Sequence, residues 1–80
     1  MHDLISLNSL TSGECGEISH YESASLPAKF YELGLQPGAL VFLQHKAPLQ
    51  GPICLHVLET DTLIALRRSE AKRIIVRKVS

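Results

Sequence analysis

Cysteine and histidine are the side chains of this sequence best suited to holding a metal, and three of them fall close together. Cys54 and His56 are two apart in "ICLHVLE" (53–59), so on a strand they project from one face. If the apolar run 39–45 pairs with 53–59 across the intervening loop, His45 comes to lie opposite Cys54. A thiolate with two imidazoles suits zinc or another borderline metal. The spacing matches no established zinc pattern. A small buried thiol beside surface histidines is the plainer reading of the same residues. No cofactor is therefore expected, with His45, Cys54 and His56 as the candidate ligands should a transition metal bind.

Other chemistries have less support. There is no G-x-S-x-G nucleophile elbow and no GxxxxGK[ST] phosphate loop, so the chain reads as a non-enzyme. The stretch "RRSEAKRIIVRK" (67–78) is locally basic, which admits a small-barrel nucleic-acid-binding or metal-sensing domain as the alternative reading. Aromatic residues make up only 5% of the chain, however, and Phe30 and Phe42 are assigned to the core. Few rings are left on which bases could stack or a polyproline helix could lie. No nucleic acid is expected as a partner.

Contact with another protein is better served. The loop "HKAPLQGP" (45–52) carries Pro48, Leu49 and Pro52, and Leu49 has no strand in which to hide. A proline-stiffened loop presenting one leucine loses less entropy on binding than a flexible one. Tyr31 lies off the apolar stripe of a short helix and is a second candidate contact.

These residues must be positioned by a small scaffold. Eighty residues with 45% hydrophobic and 20% charged side chains make one globular domain, read as 1–80, with an aliphatic core. The segment 23–34, "SASLPAKFYELG", reads as a short helix capped by Ser25 or Leu26, with Pro27 in its first turn. Leu26, Phe30 and Leu33 form its apolar stripe. Gly34 stops it in a left-handed conformation, and Leu35 supplies the hydrophobic anchor that follows. In "QPGA", Pro37 and Gly38 fit the central positions of a type II turn that leads into a strand.

Strands are expected at 14–22, 39–45, 53–59, 63–67 and 73–79, with Gly16 marking a bulge or a close backbone approach. "LISLNSL" (4–10) reads as a loose helical turn or irregular lead-in, and Ser69 as the cap of one helical turn before the last strand. The expected fold is thus mainly β: a small barrel of about five strands with an inserted helix, whose closure would remove unpaired edges.

Charge is neutral overall but polarised. Residues 1–45 carry five acids against one lysine, and residues 46–80 carry seven basic residues against three acids. The two signs are expected to meet in the folded surface. Two cysteines are too few for a disulfide scaffold, and no signal peptide or membrane-length apolar run is evident. A cytoplasmic location with free thiols is expected.

With the elements in place, four segments carry a family resemblance: "LNSLTSGECGEI", "FYELGLQPGALV", "APLQGPICLHV" and "IALRRSEAKRIIV". In this order and spacing they resemble the FeoA family, from about Leu7 to Val79. The resemblance implies an SH3-like barrel and a regulatory or accessory role in bacterial ferrous iron uptake. It implies contact with a membrane ferrous iron transporter bearing a cytosolic GTP-binding domain, of the FeoB type, and so a place at the inner membrane through that partner.

Overall fold

The computed structural model describes residues 4–22 and 28–79. Its elements run β1 (Leu4–Ser6), a 3-10 turn (Leu7–Ser9), β2 (Cys15–Tyr21), α1 (Ala28–Glu32), β3 (Leu40–Lys46), β4 (Ile53–Val57), β5 (Thr62–Leu66), α2 (Arg68–Ala71) and β6 (Ile74–Val79). The six strands form one antiparallel sheet in the order β1-β6-β2-β3-β4-β5. The strand beyond the expected five is β1, built from the lead-in that also supplies the 3-10 turn.

Buried side chains of β2 to β6, Ile75 excepted, belong to one largely aliphatic cluster, which Leu7, Leu10, Phe30, Leu35, Ala39 and Ala71 complete. One sheet can gather its residues this way only by curling around them, the SH3-like solution. Hydrogen bonding does not close the curl among the described residues: β1 and β5 remain its edges.

The opening of β3 follows the sequence expectation closely. Gly34 has φ +98°, its N–H donates to the Tyr31 carbonyl at 3.0 Å, and the Leu35 N–H donates to the Phe30 carbonyl at 2.9 Å. These are the two bonds of a Schellman cap, and they bring fully buried Leu35 beside buried Phe30. Gly38 has φ +94°, and the Ala39 N–H returns to the Gln36 carbonyl at 3.0 Å, closing the turn in which Pro37 fixes the preceding φ.

The helical stripe needs correction. The expected cap at Ser25 or Leu26, and Pro27, lie outside the described residues. Leu33 falls beyond α1 and is 36% exposed, because the Schellman cap turns the chain so that Leu35 takes the inward position instead.

Phe42 also departs from expectation. It lies on the outer face of β3 and is half-buried, while its neighbours Val41 and Leu43 are fully buried. Side chains alternate across a strand, and a run of five apolar residues conceals which set points inward. Gly16 marks a close approach: a Cβ there would lie 3.1 Å from Val76. The β2 irregularity falls between Ile18 and His20. Arg67, rather than Ser69, is the N-cap of α2, and its N–H donates to the Glu70 carboxylate at 2.9 Å.

Candidate docking surface

The β3–β4 hairpin ends in a turn whose two central residues, Leu49 (φ +59°) and Gln50 (φ +65°), are both left-handed. The Gly51 N–H donates to the Pro48 carbonyl at 3.1 Å across this turn, and the Ala47 N–H to the Pro52 carbonyl at 3.0 Å. Two positive φ angles in a hairpin turn define the type I′ class, where Asn-Gly is the preferred pair. Here the pair is Leu-Gln. Leu49 is 97% exposed. A left-handed conformation costs a residue with a Cβ roughly 1–2 kcal/mol, and burial returns nothing to Leu49.

The turn is nevertheless held firmly. Arg68 reaches over from the start of α2, its Nε donating to the Gly51 carbonyl and its Nη2 to the Ala47 carbonyl, each at 2.9 Å. A Cβ at Gly51 would meet the Ala47 Cβ at 2.6 Å, so the backbone closes tightly on itself. The Arg68 side chain bridges α2 to the turn and lines a groove together with Gln50, Gly51, Pro52, Arg67 and Ser69. Sequence reading found Pro48 and Leu49 but missed Arg68, because its contacts span 17 and 21 residues and no local pattern announces them.

Tyr31 is 46% exposed and packs edge-on against Tyr21, ring centroids 5.2 Å apart and planes at 76°. Burial pushes the Tyr21 hydroxyl up to about 12. Tyr31 and Leu49 do not form one patch. The α1 cap packs against Val57 and Thr60 at one end of β4, and the Leu49 turn precedes Ile53 at the other.

The candidate metal ligands fall into the anticipated register: His45 lies opposite Cys54, and Cys54 and His56 share the outer face of β4. His56 is occupied by Asp61, Nε2 to Oδ1 at 2.6 Å, and its cross-strand neighbours are Phe42 and Leu63. Among the described residues, no three His, Cys, Asp or Glu side chains stand close enough to hold a metal ion.

Much of the basic C-terminal third is engaged within the fold. Arg77 pairs with Glu17 across β2 and β6, and Lys78 lies 2.5 Å from Glu14. The Lys78 ammonium, with the Thr11 N–H and hydroxyl, holds the Glu14 carboxyl down at about 2. The acidic and basic halves thus meet on the surface, as the charge pattern predicts. No helix among the described residues is long and apolar enough to cross a membrane.

Comparison with known proteins agrees with this architecture. A sequence model of the FeoA domain matches residues 5–78. The crystal structure of an iron uptake regulatory protein, FeoA, superposes with a TM-score of 0.81 at 27% identity, over 96% of this chain and 99% of that one. A FeoA-like protein from Clostridium acetobutylicum superposes with a TM-score of 0.85 at 27% identity, over 100% of this chain and 92% of that one. A manganese-dependent transcriptional repressor shares the fold at 16% identity and a TM-score of 0.82, over 99% of this chain and 44% of that one. Comparison with curated proteins gave no match. With the domain model spanning nearly all of its length, the chain belongs to the FeoA family, which is associated with ferrous iron transport.

Proposed function

We propose that this chain is a cytoplasmic accessory protein of ferrous iron uptake that acts without catalysis, by docking on the GTP-binding domain of a FeoB-like membrane transporter through the Leu49 turn. One observation carries the reading. A nearly fully exposed leucine sits at a strained position in a turn that Arg68 clamps from outside. Local strain that returns no packing is retained where another function needs it. The clamp also leaves little conformational entropy to lose on contact, so a leucine entering an apolar pocket contributes most of its burial free energy.

The test is a titration of the host's ferrous iron transporter, purified in detergent, with the full chain and with the double variant Leu49→Asn, Gln50→Gly. Asn-Gly relieves the turn, so the variant should be more stable by about 1–2 kcal/mol. It should nevertheless bind at least about tenfold more weakly, the loss of roughly 1.4 kcal/mol expected for a truncated apolar anchor. A variant that is more stable and binds unchanged would remove Leu49 from the contact. Failure of the parent chain to bind would remove the partner itself.

A further inference from the structure

The sheet leaves one edge open in a way that invites a specific occupant. β5 pairs with β4 alone, and among the described residues no other backbone group bonds to 62–66 from the far side. Edge strands are usually protected by a bulge, a proline, a charged residue or brevity. Here β5 reads "TLIAL" over five residues, and its register with β4 is unbroken, unlike those of β2 with β6 and β3 with β4. Leu63 is 66% exposed, and Ala65 is exposed on the same face. The opposite edge, β1, has only three residues.

Charge then selects the partner. Asp61, exposed in the left-handed turn (φ +54°) immediately before this uncharged strand, gives one carboxylate oxygen to His56 and keeps the other toward solvent, and exposed Arg67 immediately follows the strand. A second copy laid antiparallel along β5, with the two-fold axis at Ile64, sets Thr62 opposite Leu66 and Leu63 opposite Ala65. It also brings the turn that carries Asp61 beside Arg67 at both ends. Residues facing each other across an antiparallel pair share a face, so the buried set of each copy stays inward. Moving the axis to Leu63 would put Asp61 against Ala65, and moving it to Ala65 would put Arg67 against Leu63. Only the register centred on Ile64 directs each flanking charge onto its opposite.

We propose that this chain self-associates as a two-fold dimer by antiparallel pairing of β5, registered by two Asp61–Arg67 contacts. The six-stranded sheets then run on as one. The contact is a single strand pair with a few apolar side chains, at the small end of specific interfaces, so association is weak and concentration-dependent. This inference does not depend on the transporter contact, since Leu49 lies outside β5.

The test is sedimentation equilibrium of the full chain from micromolar to millimolar concentration, with amide chemical shifts recorded over the same range. The mass should rise from one chain toward two, and the shift changes should concentrate in 61–67. Leu63→Lys, at an exposed position, should raise the dissociation constant at least tenfold while leaving the monomer folded. Arg67→Glu alone, and Asp61→Lys alone, should each weaken self-association, because each places like charges together at both ends. Mixing those two variants restores attraction at both ends and should restore pairing. A chain that stays monomeric throughout overturns the proposal and leaves the edge to an extended segment of another protein. A dimer whose shift changes lie elsewhere, or a mixture that fails to recover, overturns it equally.

Discussion

Replacing Gly34 with alanine, and Gly38 with alanine for comparison, separates two costs that are usually merged. Both glycines have nearly the same left-handed backbone, φ +98° and +94°. They differ in surroundings. A Cβ at Gly38 meets nothing within 4 Å, whereas a Cβ at Gly34 lies 3.2 Å from the Val57 Cγ1 and from the Thr60 Cγ2, and 3.3 Å from the Thr60 Oγ1. Gly38→Ala should therefore show the conformational cost alone, roughly 1–2 kcal/mol. Gly34→Ala adds crowding against fully buried Val57, which cannot retreat, and exposed Thr60, which can. Overpacking costs typically about 1–3 kcal/mol, and the freedom of Thr60 argues for the lower end, so the sum is about 2–4 kcal/mol. For a domain this small, 1 kcal/mol moves Tm by roughly 4–8 °C, which puts Gly34→Ala roughly 8–32 °C below the parent. Urea unfolding at constant m-value measures both variants, and Gly34→Ala in a Thr60→Ala background should recover part of the crowding cost. Equal losses at the two glycines would show that Gly34 is required for its φ alone. No loss at Gly34 would refute the Schellman cap as the feature that fixes the entry to β3.

Two further perturbations follow from single contacts. Arg68→Ala removes both guanidinium bonds to the Ala47 and Gly51 carbonyls and should cost about 1–3 kcal/mol for this partly exposed pair, with faster hydrogen exchange at the Ala47 and Gly51 amides. Arg68→Lys should recover little of this, because one ammonium cannot reproduce the planar fork, and full recovery would show that charge alone suffices. The Glu14 carboxyl is held by Lys78 and Thr11 at about 2, below its ordinary 4.5, so its stabilisation is complete above about pH 4.5 and is lost as pH falls toward 2. Glu14→Gln should flatten that acid limb in a urea-midpoint series across pH, and an unchanged limb would assign it to other carboxylates.

Local signals made the entry to β3 legible. Gly34, Pro37 and Gly38 each occupy a position that few other residue types tolerate, so their spacing alone gave the helix stop, the anchor and the turn. The pairing of His45 with Cys54 was legible for a similar reason, since two apolar runs joined by a short loop leave few registers. Phe42 was illegible because β3 is apolar on both faces at its start, which removes the alternation that reports orientation. Its outward position makes a cross-strand row of Cys15, Phe42, His56 and Leu63 on the outer face of the sheet. The positive φ of Leu49 was illegible for the opposite reason. The sequence there contradicts the turn it forms, and only the hydrogen bonds from Arg68 reveal how the conformation is held.

The two exposed features lie on different elements that adjoin at Arg67, and the register of β4 with β5 fixes their relation. Leu66 lies opposite Ile53, so the Leu49 turn stands near the C-terminal end of β5, while Thr62 lies opposite Val57 at the other end. A two-fold axis at Ile64 therefore carries the Leu49 turns of the two copies to opposite ends of the shared strand pair, outside the paired residues themselves. Self-association would then present two docking turns rather than conceal one, and binding to a partner with two accessible sites would gain from effective concentration as well as from contact. The two variants pull this apart. Leu63→Lys should remove the gain from pairing and leave single-site affinity intact, whereas Leu49→Asn with Gln50→Gly should remove single-site affinity and leave pairing intact. If either variant produced both losses, the turn and the Arg67 end of β5 would act as one surface, joined through the groove that Gln50, Gly51, Pro52 and Arg67 line.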